Sequence, residues 1–175
     1  MSANFFYSLT PRFFASLFGL FMVISAGFAQ AENQANKLYD PIIQAWQARD
    51  ADKLASLYAQ SSATFASPGA GGQLSAQDFK LYAQALFVAV PDFKLTMKQS
   101  APIGKNGLFD QWEVTGTWTQ PFPGGPLAGM PASGKSFVLP GTCVHQTQNG
   151  QLVSTVQYYD NLSFLQQIGA IPTKP

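Results

Sequence analysis

Two alternating segments meet at Asn149-Gly150 near the end of the chain, and that junction restricts the possible folds more than any other feature. A two-residue hairpin turn needs positive φ at both central residues, which Asn tolerates and Gly adopts freely. The upstream arm follows Ala132-Ser133-Gly134-Lys135-Ser136-Phe137, and the downstream arm runs from Gln151 to Asp160. Asn161 to Pro172 (Asn-Leu-Ser-Phe-Leu-Gln-Gln-Ile-Gly-Ala-Ile-Pro) then reads as a short closing helix. A long hairpin does not stand alone in water, so the preceding chain must cover one of its faces.

The upstream chain supplies that cover. Ile42, Ile43 and Trp46 recur with Leu38 at helical spacing, with Asp40 as cap and Pro41 at the first helical position. Asp50-Ala51-Asp52 opens a second, shorter helix over Lys53–Tyr58, with Leu54, Leu57 and Tyr58 on one face. Ser62–Ala66 is a candidate short strand, and Ser67–Gln73 reads as a flexible loop. Its glycines lack the Lys-Ser/Thr and the preceding strand of a phosphate-binding loop. A third helix starts at Ser75, with Asp78 at its third position, carries Phe79, Tyr82, Ala83, Leu86 and Phe87, and stops at Pro91.

Beyond Pro91 the period falls to two. Phe93, Leu95, Met97 and Gln99 alternate with Lys94, Thr96, Lys98 and Ser100, which predicts a half-buried strand. Lys105-Asn106-Gly107 turns the chain into a second strand, Leu108–Thr119, with Leu108, Trp112, Val114 and Trp118 on one side. Gln120–Ser133 is rich in Pro and Gly and joins strands; it is a candidate rim or lid over a cavity. Three helices, four antiparallel strands and a terminal helical turn make an α+β domain, with helices on one face of a sheet. Gly116 and Pro140-Gly141 are expected to bend that sheet as bulges or corners, leaving a concave apolar interior for a ligand.

Composition narrows the function classes. The 175 residues suit one domain, with 46% hydrophobic residues for its core. Arg12 is followed by an apolar run, Phe13–Phe28, and by Ala29-Gln30-Ala31, a pattern that predicts a signal peptide over residues 1–31 and a mature domain over 32–175. The run is shorter than the roughly 20 residues needed to span a bilayer, so no membrane association is expected after cleavage. The expected location is periplasmic or secreted. Residues 1–31 hold one base and no acid, leaving nine of each in the mature chain; that balance disfavours a nucleic-acid partner. A single Cys143 and a single His145 leave no intramolecular disulfide and no Cys/His metal centre; no cofactor is expected.

The order Trp46-x-x-x-Asp50-x-x-x-Leu54, Pro91-Asp92-Phe93, Gly116-Thr117, Gly134-Lys135, Asn149-Gly150-Gln151-Leu152, Asp160 and Gln167-Ile168-Gly169 resembles the SnoaL-like polyketide cyclase (ester cyclase) family. The resemblance covers Leu38 to Pro172. It implies the cone-shaped α+β barrel of the nuclear transport factor 2-like superfamily, with N-terminal helices packed on a curved, mostly antiparallel sheet. It also implies ring closure by an intramolecular aldol reaction, with an Asp in the last strand as acid/base and a His in the strand before it. Anchored on the hairpin, those positions fall on Gln157 and Cys143. Gln takes up no proton at neutral pH, so general-base catalysis cannot come from that position.

Two functions follow as alternatives: an acid/base enzyme acting on a small hydrophobic molecule, and a non-catalytic pocket or dimeric scaffold protein. The catalytic candidates are His145, on the same side of its strand as Cys143, and Asp160, where capping of the closing helix is the stronger expectation. Trp46, Tyr58, Trp112, Cys143, Gln157 and Tyr159 are the candidates for ligand contact, although large aromatics and a buried Cys are often simply core. Asp110 and Glu113 fall on opposite faces of one strand, so they do not pair as acid and base, and at least one is expected in solvent. Low charge (11% of residues) predicts a homodimer through the open face of the sheet.

Overall fold

The computed structural model describes residues 40–173. The predicted signal peptide, its cleavage point and Leu38 lie outside these residues. Helix α1 is helical over 40–47, α2 is Ala51–Ser56, α3 is Ala76–Ala89 and α4 is Asn161–Gln167. The strands are β1 (Thr64–Ser67), β2 (Gly72–Ser75), β3 (Lys94–Ile103), β4 (Gly107–Thr117), β5 (Ser136–Gln148) and β6 (Gln151–Tyr159). Among the described residues no helix is long and apolar enough to cross a membrane.

The hairpin forms as its turn chemistry requires. Asn149 has φ 51° and Gly150 φ 76°, and β5 pairs antiparallel with β6 from Gln148↔Gln151 to Gly141↔Tyr159. The sheet order is β2-β1-β6-β5-β4-β3, with antiparallel neighbours except where β1 runs parallel to β6. The predicted loop over Ser67–Gln73 is partly strand: after the short turn at Pro68–Ala70, Gly72–Ser75 folds back on β1.

Local signals set the helix starts. The carboxylate of Asp50 accepts from the Lys53 amide at 2.8 Å, and Ser75 Oγ accepts from the Asp78 amide at 3.1 Å. Each satisfies an amide that the first turn leaves without a helical partner. Helices α1 to α3 pack their apolar faces against Phe65 and Leu152; a second cluster, around Trp112, Trp118 and Phe137, lies under α4. Trp46 joins the two, stacked on Phe93 (centroids 5.6 Å apart) and edge-on to Phe79 and Phe87.

The bends fall elsewhere than expected. Register shifts occur between Met97 and Gln99 and between Gln146 and Thr147, whereas β4 and β5 pair without interruption past Gly116 and Gly141. Those two glycines serve close approach instead. A Cβ on Gly141 would strike the Trp112 ring, and one on Gly116 would strike Val90. The bulge in β3 also turns Gln99 to solvent, although the alternation placed it with Leu95 and Met97.

Candidate functional site

The concave side of the sheet, the three leading helices, α4 and the Gln120–Ser133 excursion enclose a cavity of about 600 Å³. That volume falls within the size range of small-molecule sites. The excursion contributes Phe122, Leu127 and Met130, so it forms part of the wall. The wall is mainly aliphatic and aromatic. Among the described residues it includes no Lys or Arg; its charged or chargeable members include Asp78, Asp110 and His145.

The strand period places the polar group. Along β4, Leu108, Asp110, Trp112 and Val114 face inward, while Glu113 faces out and pairs with Lys98 at 3.1 Å. Along β5, Phe137, Leu139, Cys143 and His145 face inward. Leu108 lies opposite His145 and Asp110 opposite Cys143, which makes Asp110 and His145 diagonal neighbours on one face, within mutual reach. His145 Nε2 is 3.0 Å from Asp110 Oδ2, and Nδ1 is 2.8 Å from Thr155 Oγ1. Thr155 Oγ1 also accepts the Tyr58 hydroxyl at 2.8 Å. All four residues are buried and all line the cavity.

Electrostatics decides the state of this group. Burial pushes the imidazole toward its neutral form, but the hydrogen bond to Asp110 and then the influence of Cys143 outweigh it and raise His145 to about 9. At neutral pH His145 is the imidazolium. Both imidazolium nitrogens donate, to Asp110 Oδ2 and to Thr155 Oγ1, so His145 retains no acceptor. Asp110 Oδ1 does: it is buried and has no hydrogen-bond partner. Burial also raises the Tyr58 hydroxyl, which stays a donor.

The six candidates for ligand contact, Trp46, Tyr58, Trp112, Cys143, Gln157 and Tyr159, all line the cavity. Cys143 and Gln157 face each other across the hairpin, and Cys143 Sγ accepts from Trp112 Nε1 at 3.1 Å. The two catalytic candidates separate. His145 is in the wall, but Asp160 is exposed and caps α4, accepting from the Ser163 amide at 2.9 Å. The carboxylate beside His145 is Asp110, which the sequence weighed only against Glu113, as members of one strand, and did not link to His145. One signal pointed to it: Asp110 shares the phase of Leu108, Trp112 and Val114. Among the described residues no three His, Cys, Asp or Glu side chains converge to hold a metal ion.

The profile of the SnoaL-like polyketide cyclase family matches residues 36–168, and the chain belongs to that family. Among curated proteins none is significantly similar in sequence. Solved structures share the fold. A protein of Jannaschia sp. CCS1, assigned as a SnoaL-like polyketide cyclase, superposes with a TM-score of 0.65 at 19% identity, over 80% of this chain and 94% of that one. IdmH of Streptomyces antibioticus, assigned as a polyketide cyclase, gives 0.63 at 20% identity, over 78% and 99%. AclR of Streptomyces galilaeus, assigned as a hydroxylase, gives 0.65 at 17% identity, over 85% and 86%. Likeness at these identities establishes the nuclear transport factor 2-like fold and leaves activity to the site itself.

Proposed function

We propose that this protein is an exported acid/base enzyme acting on an uncharged, hydrophobic small molecule held in the cavity. The observation that carries the reading is the buried Asp110–His145 pair in an apolar wall, with Asp110 Oδ1 unpartnered. Asp110 Oδ1 removes a proton from a carbon next to a ligand carbonyl, the first step of an aldol-type ring closure. The carboxylate becomes a carboxylic acid, and the electron pair of the broken C–H bond passes to the enolate. The His145 imidazolium then balances the enolate charge in a medium where little water screens it. Export rests on the apolar run and the Ala29-Gln30-Ala31 site. A homodimer through the outer face of the sheet completes the proposal.

A second reading, ligand binding without turnover, is favoured by one observation. Cys143 and Gln157 sit face to face where the family resemblance calls for a His and an Asp. Proton exchange separates the two readings. With 2-acetylnaphthalene in deuterated buffer, the protein should speed exchange of the methyl-ketone protons, followed by NMR. Asp110→Asn should lower that rate at least 100-fold while leaving ketone binding in place. Binding with exchange no faster than buffer would leave the second reading standing.

A further inference from the structure

One nucleophilic side chain in the cavity wall has no part in the proposed proton abstraction. Cys143 lines the cavity from β5, and Trp112 Nε1 donates to its Sγ at 3.1 Å. Gly141, two residues earlier, leaves the space that the Trp112 ring occupies, so the indole N–H is held on the sulfur. His145, two residues later on the same face, is close enough to feel a charge on Cys143. Across the β4–β5 pair Cys143 stands directly opposite Asp110, which places their Cβ atoms roughly 5 Å apart. Asp110 is 2% exposed, lines the same cavity and has Oδ1 unpartnered. A nucleophile, a proton acceptor opposite it and a cation beside it are the parts that conjugate addition of a thiol uses.

We infer that Cys143 is a covalent capture site for a hydrophobic conjugated ketone, a molecule with a carbon–carbon double bond next to its carbonyl. Asp110 Oδ1 takes the thiol proton as a sulfur electron pair forms the bond to the β-carbon. The π pair of the double bond moves toward the carbonyl, and the His145 imidazolium balances the enolate charge. Asp110 then returns the proton to the α-carbon, which leaves a thioether and a saturated ketone. Thiol and double bond are the only groups consumed, so no oxidant or reductant enters. Cys143 is 5% exposed, so a reagent reaches its sulfur by entering the cavity. The lack of Lys or Arg in the described wall favours an uncharged electrophile there. The inference rests on reading the cavity as a ligand site, but it needs no proton abstraction from carbon.

Intact-mass spectrometry tests the site with 2-naphthyl vinyl ketone. The native wild-type protein should gain the mass of a single adduct, and Cys143→Ala should gain none. The saturated analogue, 2-propionylnaphthalene, should slow the addition by occupying the cavity. Asp110→Asn should slow it about tenfold in the native protein and react like the wild type in urea, where the cavity is gone. A wild-type protein that takes up the ketone only in urea would have its sulfur sealed in the core, and that result would overturn the inference. Addition that the saturated analogue does not slow would place the reaction outside the cavity and overturn it as well, whatever the fate of the Asp110 variant. Equal native rates in Asp110→Asn and the wild type would remove Asp110 from the step and overturn the mechanism. The adduct is read without turnover, so its absence strikes the capture site alone, and absence of proton exchange strikes the proposed enzyme alone.

Discussion

Asp110 and His145 are each only a few per cent exposed, and either charge alone in that wall would meet a steep desolvation penalty. Together they form one unit whose hydrogen bonds extend through Thr155 to Tyr58. The consequence for stability has a definite sign. The folded His145 is raised to about 9 from the ordinary value of 6.5. Its contribution is therefore complete below pH 6.5 and is lost as pH climbs through 9. The shift corresponds to on the order of 3 kcal/mol. Urea unfolding at pH 6.5 and at 9.5 should show the wild-type protein losing about that much more than His145→Gln across the interval. Equal losses in both proteins would mean that His145 is not charged at pH 6.5. The same protonation should govern chemistry, so proton exchange on a bound ketone should decline above pH 9 as the charge opposite the enolate disappears.

Helix α4 shows how one side chain can match either of two roles at the level of an element. Asp160 stands at the junction of β6 and α4, a position open to a cap or to a catalytic carboxylate, and in the structure it caps. Asp160→Ala should cost about 1 kcal/mol in unfolding free energy through the lost cap and leave the proton-exchange rate unchanged. A fall in exchange at unchanged stability would return Asp160 to the site. The hairpin and the starts of α2 and α3 were legible because each is a local event: Asn149-Gly150 needs its own φ values, and Asp50 and Ser75 reach amides three residues on. Strand β2 was hidden because Gly72-Gln73-Leu74-Ser75 has no pattern of its own and is a strand only through β1. Gly116 and Gly141 read as corners because sequence shows the missing side chain but not Val90 or the Trp112 ring pressing on the gap. The Asp110–His145 pair escaped for a related reason. Its members lie 35 residues apart, and only the register of β4 on β5 brings them together.

At the scale of the whole molecule the sheet has two faces with different work. The inner face meets helices and cavity. The outer face carries Val138 and Tyr158, 51% and 58% exposed, on adjacent strands, with half-buried Val144 and Val156 on the same side. The Lys98–Glu113 ion pair lies toward the β3 edge of that face, and strands β5 and β6 carry no Lys, Arg, Asp or Glu. Exposed apolar side chains on an uncharged part of the face, in a chain with so few charges, are suited to a second copy of the chain, since a twofold interface needs only one self-complementary patch. About 800 Å² per protomer is the usual requirement for a stable pair. Light scattering on residues 32–175 at micromolar concentration should give the mass of a dimer. The Val138→Lys/Tyr158→Lys variant should give the mass of a monomer, because pairing would bring the new charges of the two copies together away from water. Neither side chain reaches the cavity, so the variant should bind 2-acetylnaphthalene as the wild type does. A monomeric wild-type protein would end the dimer proposal, and a variant that dimerises as well as the wild type would move the interface to another surface.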